Sequence, residues 1–419
     1  MPSCVIIVEN LPVPMDRRVW QEARALYESG WVVSVICPAT EQFPARREKI
    51  DGIEIFRHPL PFQGRGVGGF LIEYATALFH EFRLLFKVHS VCGFEVIQVC
   101  NPPDLLFLVA LPWMLFGKKL VFDHHDVCPE LIEAKFGRRW LLEFLLSLAE
   151  KLTFKAANLV ISANETFRGL AITRGGKRPE DVVAVYSIPD ARYFGKASLL
   201  KRTLDNAAAQ GGTPMVIGYV GIIGDQDGVD NVVRMARRLI EKYGLKEFSC
   251  EVVGDGPALS SVKSLAAELN VADHVNFTGY LTGMDLLEAL SKFDIGIIPD
   301  PINSYNDKIS MNKVFEYSAM GIPIVALNLS ETKRLLGNAA LFAVDGDASG
   351  LADQVARLIL DPELRRELGQ KAKALADREF VWETERKKYV DAMNRLLAPS
   401  LSTVASRKDG PQPKNVSIT

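Results

Sequence analysis

Short apolar segments rich in Val and Ile alternate with longer amphipathic segments along most of the chain. In the first half, the apolar runs predict strands at 4–9, 31–37, 53–57, 94–100, 119–123, 158–162 and 182–186. The segments between them predict helices at 16–28, 70–87, 131–157 and 165–173. Strands that are apolar on both faces belong inside a parallel sheet covered by helices on both sides. The first half is therefore predicted to be a doubly wound α/β domain.

A second alternating series follows in the other half of the chain. It predicts strands at 215–220, 248–253, 274–278, 293–298, 322–326 and 340–344. Its first helix has one apolar face with a period of about 3.6 residues, formed by Val229, Val232, Val233, Ala236, Leu239 and Ile240. Two α/β units of similar size create a cleft between the carboxyl ends of their strands, where open α/β sheets bind ligands. We expect the functional residues in that cleft.

The two series are separated by a stretch of Lys, Ala, Gln and Gly without periodicity, which we interpret as a linker. The predicted units are an N-terminal domain at 1–189, a linker at 190–213, a C-terminal domain at 214–375, a C-terminal helix at 376–397 and a tail at 398–419. The charged C-terminal helix is expected to pack back on the N-terminal domain. The Ser-, Lys- and Pro-rich tail is expected to be disordered.

Composition and charge narrow the class of protein. The 419 residues are 48% hydrophobic and 24% charged, which is typical of a folded protein. Lys and Arg number 49 against 51 Asp and Glu, so the net charge of -2 argues against nucleic acid as a partner. The six cysteines form no Cys-x-x-Cys pair. The start of the chain lacks the features of a secretory signal. The apolar stretch at 105–116 is shorter than the ~20 residues of a membrane-spanning helix. We expect a cytoplasmic protein.

The densest group of candidate functional residues lies at 306–326, where polar residues lead into a short helix that Gly321 can end in a left-handed conformation. A helix N-terminus near Ser310 offers free N–H groups and a positive dipole end, which suit a diphosphate. Glu316 can accept hydrogen bonds from two vicinal hydroxyls, such as those of a ribose, and Lys313 adds a cation beside the same turn. Spacing alone leaves a solvated helix with these charges on its outer face as an equal alternative.

The segment 312–325 resembles the donor-site motif Asn-Lys-x-x-Glu-Tyr-x-Ala-x-Gly-x-Pro-Ile-Val of the family 4 retaining glycosyltransferases. Three further segments, at 218–230, 253–257 and 275–280, are similar to strand ends of that family's donor domain. The resemblance implies the GT-B fold, in which two Rossmann-like domains face a central cleft. It implies that Glu316 holds the ribose of a nucleotide-sugar. The other donor-binding residues implied are Ser310, Asn312, Lys313, Lys308, Gly221 and Gly254.

Two departures from the family pattern concern charge. Members usually carry a Glu eight residues before the ribose-binding Glu, where it contacts the transferred sugar, and this chain has Lys308 there. Asp307, one position away, is our candidate to replace it, and a different donor contact is an equal alternative. Many members also carry a basic pair after the first glycine turn, where this chain has Asp-Gln-Asp at 225–227. The missing charge would have to come from Lys313, Lys308 or Arg334.

In the N-terminal domain, Asp-His-His-Asp at 123–126 ends an apolar strand, so its imidazoles project at the carboxyl edge of the sheet. The resemblance matches His125 and Asp126 to a catalytic His-Asp beside the transferred sugar. Such a His can hydrogen-bond a sugar hydroxyl or stabilise charge as the leaving group departs. A His pair satisfied by local backbone is the alternative, which placement in the cleft disfavours.

The first strand is followed by a proline-containing loop where related enzymes often have Gly-Gly. Asp16 is a plausible N-cap of the next helix, with Arg17 and Arg18 in its first turn. We expect these two arginines to be solvated, and contact with a phosphate across the cleft is the alternative.

The resemblance implies a retaining glycosyltransferase that moves a sugar from a nucleotide-diphosphate sugar to a hydroxyl of a glycan or lipid-linked saccharide, in surface polysaccharide biosynthesis. A nucleotide-sugar 2-epimerase of the same fold and a non-catalytic nucleotide-sugar-binding protein are the alternatives. We expect no cofactor and no metal, because the Asp-x-Asp triplets at 225–227 and 345–347 sit beside glycine as in turns. Aromatic and basic residues at 131–157 leave peripheral membrane contact as a minority hypothesis.

Overall fold

The computed structural model describes residues 1–59, 66–189 and 214–398. The predicted linker at 190–213 lies outside these residues, and so does the predicted tail apart from its first residue. Two parallel sheets covered by helices form an N-terminal lobe and a C-terminal lobe. The predicted α/β fold class with two Rossmann-like units is confirmed.

The N-terminal lobe contains an eight-stranded sheet. Its strands are β1 (Ser3–Val8), β2 (Val32–Pro38), β3 (Arg47–Ile50), β4 (Ile53–His58), β5 (Val96–Cys100), β6 (Lys119–His124), β7 (Leu159–Ser162) and β8 (Val182–Ala184). They lie in the order β3-β4-β2-β1-β5-β6-β7-β8, and every neighbouring pair is parallel except β3 with β4. The chain order reverses between β1 and β5, so a crevice for a ligand is expected at the carboxyl ends of these strands. The apolar pattern missed β3, which is polar and largely exposed.

Six helices cover this sheet within the described residues. They are α1 (Arg17–Glu28), α2 (Gly66–Val91), α3 (Phe107–Leu115), α4 (Cys128–Phe136), α5 (Trp140–Ala156) and α6 (Glu165–Thr173). The single helix predicted at 131–157 is in fact α4 and α5, because Gly137 adopts a φ of 70° and ends α4. Helix α3 was not predicted because its own residues are apolar on every face, so it lacks the alternation of apolar and polar faces that marks an amphipathic helix. No helix in the described ranges is both long and apolar enough to cross a membrane.

The C-terminal lobe contains a six-stranded sheet. Its strands are β9 (Met215–Val220), β10 (Phe248–Val253), β11 (Val275–Gly279), β12 (Ile295–Ile298), β13 (Ile324–Leu327) and β14 (Ala340–Ala343). All pairs are parallel, in the order β11-β10-β9-β12-β13-β14, so the switch point lies between β9 and β12. All six predicted strands are present. Their apolar runs specify this sheet because both faces are covered.

Eight helices follow β9 in the described part of the chain. They are α7 (Val229–Tyr243), α8 (Leu259–Glu268), α9 (Gly283–Ser291), α10 (Asn312–Met320), α11 (Ser330–Leu336), α12 (Ala348–Leu360), α13 (Pro362–Glu379) and α14 (Trp382–Leu397). The apolar face predicted for α7 is buried in the core of the lobe, with only Ile240 partly exposed. This agreement shows that the periodicity of α7 was set by burial on one side.

The last described helix, α14, returns to the N-terminal lobe and completes its core. Met393 is fully buried in the apolar cluster beneath β1 and β2. The Tyr389 hydroxyl donates a hydrogen bond of 2.7 Å to Oε1 of the buried Gln98 on β5. The indole Nε1 of Trp31 donates to Oδ1 of Asn394 at 3.1 Å. The N-terminal lobe therefore includes α14 as well as the first half of the chain.

We predict that Tyr389→Phe lowers the free energy of unfolding by about 1–3 kcal/mol, because it leaves the buried Gln98 carbonyl without its donor. Chemical denaturation measures this loss. The matched control is Tyr280→Phe, which removes a hydroxyl from a side chain that is 61% exposed and should change stability by less than about 0.5 kcal/mol. Equal effects of the two variants would contradict the role of the Tyr389 hydroxyl.

Candidate functional site

The two lobes meet at the carboxyl edges of their sheets. Several polar contacts cross the junction, among them Arg17 with Glu316, Tyr305 with Asp126, Asn164 with the carbonyl of Lys308, and Thr166 with Glu331. The N-terminal members of these pairs follow β1, β6 and β7. The C-terminal members lie near a short 3-10 turn at 306–308 and on α10 and α11. The predicted cleft residues of both lobes are therefore brought to one region.

Glu316 lies on α10 with its side chain only 8% exposed, facing the other lobe. Its Oε1 accepts a hydrogen bond of 2.8 Å from Nη1 of Arg17, the first residue of α1. The Arg17 side chain is itself 37% exposed. The prediction that Arg17 is merely solvated is wrong, because its guanidinium joins the lobes. The residue predicted to hold the ribose is therefore hydrogen-bonded to a cation of the other lobe.

Helix α10 begins close to Ser310, as predicted. Met311 is the extended residue before the helix, and Asn312 is its exposed first residue. The Ser310 hydroxyl does not cap α10, because it donates to Oε1 of Glu331 at 2.8 Å. The free N–H groups and the positive dipole end therefore begin at Asn312. Gly321 ends α10 with a φ of 68°, as predicted.

Lys313 points into the C-terminal lobe. Its Nζ lies 2.9 Å and 3.1 Å from the two carboxylate oxygens of the buried Asp300, and 5.0 Å from the ring centre of Tyr219. Burial raises the pKa of Asp300, and the charge of Lys313 opposes that shift. A buried ammonium needs such a partner to remain charged. The charge of Lys313 is therefore balanced locally.

The two residues at the register of the missing family Glu are also engaged. Lys308 Nζ hydrogen-bonds to the carbonyl of Ser304 and lies 3.7 Å from the carboxylate of Glu130 in the other lobe. Asp307 Oδ1 accepts a hydrogen bond of 2.7 Å from the backbone N–H of Ser330, which opens α11. Helix N-termini favour such carboxylates. A contact between Asp307 and the transferred sugar stays a prediction.

Glu331 is a buried residue that hydrogen-bonds to both lobes, and the sequence analysis did not single it out. Its carboxylate accepts hydrogen bonds from Thr166 at 2.7 Å and Ser310 at 2.8 Å. Arg334 donates to the same carboxylate at 2.7 Å and 2.9 Å, and also to the Tyr186 hydroxyl. Arg334 is therefore held by C-terminal and N-terminal groups at once. Thr166 and Ser310 are far from Glu331 in the sequence, so spacing along the chain did not indicate the role of Glu331.

His125 is oriented by a neighbouring carboxylate. Its Nε2 lies 2.6 Å from Oδ2 of Asp123, whose Oδ1 accepts a hydrogen bond of 2.8 Å from Arg18. Burial alone would raise the pKa of Asp123, but the charges of Arg18 and His125 override it and hold that pKa well below its usual range. An ionised carboxylate only accepts hydrogen bonds, so Nε2 of His125 carries the proton. Its Nδ1 is the ring nitrogen left to meet a ligand.

Arg18 is buried, so the prediction that it is solvated is wrong. Its guanidinium also donates to the carbonyl of Val185 at 2.7 Å and lies 3.2 Å from Glu22. Gln98 Nε2 donates to both Glu22 and Asp123, at 2.7 Å and 3.1 Å. Burial and the adjacent Asp123 raise the pKa of Glu22 well above its usual range. The network holds one firmly ionised carboxylate beside His125.

His124 has a different role from its neighbour. Its ring is fully buried and packs 5.1 Å from the ring centre of Phe154 and 4.8 Å from that of Phe167. Burial lowers the pKa of His124 to about 3, so the imidazole is neutral at physiological pH. His124 is therefore a core residue, and the functional prediction applies to His125.

Asp126 is tied to the opposite lobe. Its Oδ1 accepts a hydrogen bond of 2.8 Å from the hydroxyl of Tyr305. Burial raises the pKa of Asp126, and the hydrogen bond from Tyr305 opposes that shift. Asn101 Oδ1 accepts from the backbone N–H groups of His125 and Asp126 at 2.7 Å and 3.2 Å, which fixes this turn. The sequence analysis missed Tyr305 and Asn101, both of which are separated from Asp126 by many residues.

One group of side chains has the atoms of a metal site. Cys100, Asp123 and His125 each offer an atom within 4.8 Å of the others. Burial and the charge of Asp123 raise the pKa of Cys100 well above its usual range, so the thiol keeps its proton. Arg18 already occupies one oxygen of Asp123. These atoms are better explained as a hydrogen-bond network, and the expectation of no metal stays a prediction.

The two glycines predicted at the donor site lie where the first strands of the C-terminal sheet end. Gly221 follows β9 with a φ of 154°, and Gly254 follows β10 with a φ of 149°. A Cβ on Gly254 would stand 1.8 Å from the carbonyl oxygen of Gly221. Only glycine permits the two loops to pass this closely. Their direct contact with a donor stays a prediction.

Two family models match the two halves of the chain. A glycosyl transferase 4-like domain matches residues 15–186, and the glycosyl transferases group 1 model matches residues 201–375. Chitobiosyldiphosphodolichol beta-mannosyltransferase of Candida glabrata is 23% identical over 85% of this chain and 83% of its own length. The 2-deoxystreptamine glucosyltransferase of Streptomyces kanamyceticus is 27% identical, but the match spans only 52% of that relative's length and 50% of this chain.

Solved structures match nearly the whole chain. Sucrose-phosphate synthase from Thermosynechococcus elongatus has a TM-score of 0.75 at 16% identity, covering 94% of this chain and 99% of that one. HepE of Anabaena in complex with UDP-glucose has a TM-score of 0.68 at 16% identity, with the same coverage of 94% and 99%. At these identities the likeness shows the fold. With both halves matched by glycosyltransferase models and the whole matched by GT-B structures, the chain belongs to the family 4 type of GT-B glycosyltransferases.

Proposed function

We propose that this protein is a retaining glycosyltransferase that uses a nucleotide-diphosphate sugar and a hydroxyl acceptor. The observation that carries the proposal is the position of two consecutive arginines. Arg17 contacts Glu316, the candidate ribose ligand, and Arg18 contacts Asp123, which orients His125. The first turn of α1 therefore contacts both the candidate donor-binding group, Glu316, and the carboxylate that orients the candidate catalytic His125.

The donor would be held by α10. Its first turn from Asn312 supplies unpaired N–H groups and a partial positive charge of roughly +0.5 for the diphosphate. Glu316 lies one turn further along, where its carboxylate can accept from both ribose hydroxyls. The neighbour HepE was solved with UDP-glucose and with UDP, which supports this class of donor.

The chemistry would be mainly electrostatic. The acceptor oxygen attacks the anomeric carbon on the face from which the sugar–phosphate bond breaks, and the acceptor proton passes to the departing phosphate. His125 would present Nδ1 to a sugar hydroxyl, with its ring fixed by Asp123. Contacts across the lobes, such as Tyr305 with Asp126, would exclude water from the reacting groups.

The proposed acceptor is a glycan or lipid-linked saccharide in surface polysaccharide biosynthesis. The relatives' names include a chitobiosyldiphosphodolichol mannosyltransferase and a D-inositol 3-phosphate glycosyltransferase, which supports a range of hydroxyl acceptors and leaves this one to experiment. Contact with the membrane that carries such an acceptor is part of the proposal. Helix α5 exposes six apolar side chains to solvent: Trp140, Leu141, Phe144, Leu145, Leu148 and Leu152. Exposed Arg138, Arg139, Lys151 and Lys155 flank them.

The donor is tested by thermal shift and calorimetry against a panel of nucleotide-sugars. We predict that one of them stabilises the protein and that Glu316→Gln weakens its binding about 10- to 100-fold, because hydrogen bonds to a charged group contribute about 1.5–3 kcal/mol. Glu247→Gln, an exposed change in the same lobe, is the control and should leave affinity unchanged. Undiminished affinity of Glu316→Gln would remove Glu316 from the donor site.

We predict that His125→Ala lowers kcat about 100-fold or more while the donor KM changes little, because an interaction made mainly in the transition state is lost. Transfer to an acceptor extract is followed in buffer containing EDTA, where wild-type activity is expected to persist. His89→Ala, at an exposed site on α2, is the control. Incubation with donor alone separates the alternatives, since a 2-epimerase would yield a new sugar isomer. Wild-type kcat in His125→Ala would contradict its catalytic role.

We predict that the protein floats with vesicles containing phosphatidylglycerol, and that Trp140→Glu combined with Phe144→Glu lowers the bound fraction roughly tenfold or more. The reason is that each large apolar side chain contributes about 1.5–3 kcal/mol when removed from water. Leu360→Glu is the control, since this residue is 66% exposed on the other lobe. Absence of flotation by the wild type would contradict membrane contact.

A further inference from the structure

A departing nucleoside diphosphate requires positive charge beyond a helix dipole. The first turn of α10 supplies only a partial charge of roughly +0.5. The turn after β9 carries Asp225 and Asp227. Burial raises the pKa of Asp227 to about 6, so at neutral pH this group is largely an anion. A full cation must therefore reach the diphosphate from elsewhere.

The candidate cations of the C-terminal lobe already have partners. Lys313 is buried against both oxygens of Asp300. Arg334 donates twice to Glu331 and once to Tyr186. Lys308 is bonded to the carbonyl of Ser304 and lies near Glu130. Moving Lys313 or Arg334 would leave a buried carboxylate, Asp300 or Glu331, without its counter-charge, which is costly.

The cations of the N-terminal lobe differ in what they face. Arg18 is buried against Asp123. Burial raises the pKa values of Asp126 and Asp227, and the nearby charge of Lys135 on α4 opposes that shift. Arg17 is the cation that already reaches across the cleft to α10, with its side chain 37% exposed. Its contact there, Glu316, is the carboxylate to which the proposed function assigns the ribose.

We propose that Arg17 is a ligand of the donor diphosphate and that it exchanges partners when the donor binds. In the structure its guanidinium neutralises Glu316. When the ribose hydroxyls bind Glu316, they replace the hydrogen bond from Arg17 and release the guanidinium. The released group then bonds to the phosphate oxygens at the start of α10. This inference rests on the proposed function, because it requires a nucleoside diphosphate at α10.

The geometry of α10 makes the exchange a short movement. Asn312 and Glu316 are four residues apart and therefore lie on the same face, about 6 Å apart along the helix axis. A change of rotamer in the long Arg17 side chain can carry its guanidinium from Glu316 toward Asn312. The planar guanidinium can also bond two phosphate oxygens at once, which an ammonium cannot do. The pair with Glu316 thus keeps the cation beside the site before the donor arrives.

The proposal predicts that Arg17→Ala affects binding of a nucleoside diphosphate and of its nucleoside differently. Arg17→Ala should weaken binding of a nucleoside diphosphate about 10- to 100-fold, since a charge-assisted contact is lost. It should leave binding of the matching nucleoside unchanged or tighter, since Glu316 no longer has a competitor. Affinities are measured by calorimetry with ADP, CDP, GDP and UDP and with their nucleosides, using displacement titrations for the weaker ligands. Arg24→Ala on the outer face of α1 is the control.

Other outcomes overturn the proposal. Tighter binding of both ligands by Arg17→Ala would mean that Arg17 only blocks Glu316. Equal weakening of both would mean that Arg17 only positions Glu316. Arg17→Gln is measured beside Arg17→Ala, with thermal unfolding of each, so that a folding defect in one variant does not decide the result. If the wild type binds none of the four diphosphates, the proposed function fails. If it binds one and Arg17→Ala binds it equally well, only the role of Arg17 fails.

Discussion

The site depends on keeping one carboxylate, Asp123, ionised in the interior of the N-terminal lobe. A buried charge is stable only with a partner and further hydrogen bonds. Arg18 supplies the partner, which forces the first turn of α1 against the end of β6. Neighbouring residues of a helix project roughly 100° apart. Burial of Arg18 therefore turns Arg17 away from the interior, where it meets Glu316 of the other lobe.

The same constraint links the site to the end of the chain. Gln98 donates to Asp123 and Glu22 and accepts from Tyr389 on α14. The helix that returns from the C-terminal lobe thus closes the hydrogen-bond network behind His125. Helix α14 therefore has two roles in the N-terminal lobe, because it covers the apolar core and completes the polar network.

The sequence predicted the sheets well because their strands are buried on both faces, and it missed β3 because that strand is polar. It also predicted helix α10, since the motif is local, and the role of Glu316 stays a prediction. It did not predict the roles of Arg17 and Arg18, whose partners lie 299 and 105 positions away. The apolar pattern alone did not separate His124 from His125, because both end the same strand, and only the family resemblance favoured His125. Alternation of side chains along a strand places one ring in the core and leaves the other at the edge.

The two departures from the family pattern have a common physical consequence. The C-terminal lobe carries acids after its first glycine turn, and Lys308, in place of the usual Glu, lies near Glu130 of the opposite lobe. Lys313 and Arg334 of that lobe are paired with its own carboxylates, so the C-terminal lobe alone would offer a diphosphate little net positive charge. In the proposed arrangement the remaining charge would come from α1 across the cleft. Stabilisation of the leaving group would then require closed lobes, which ties the chemical step to the exclusion of water.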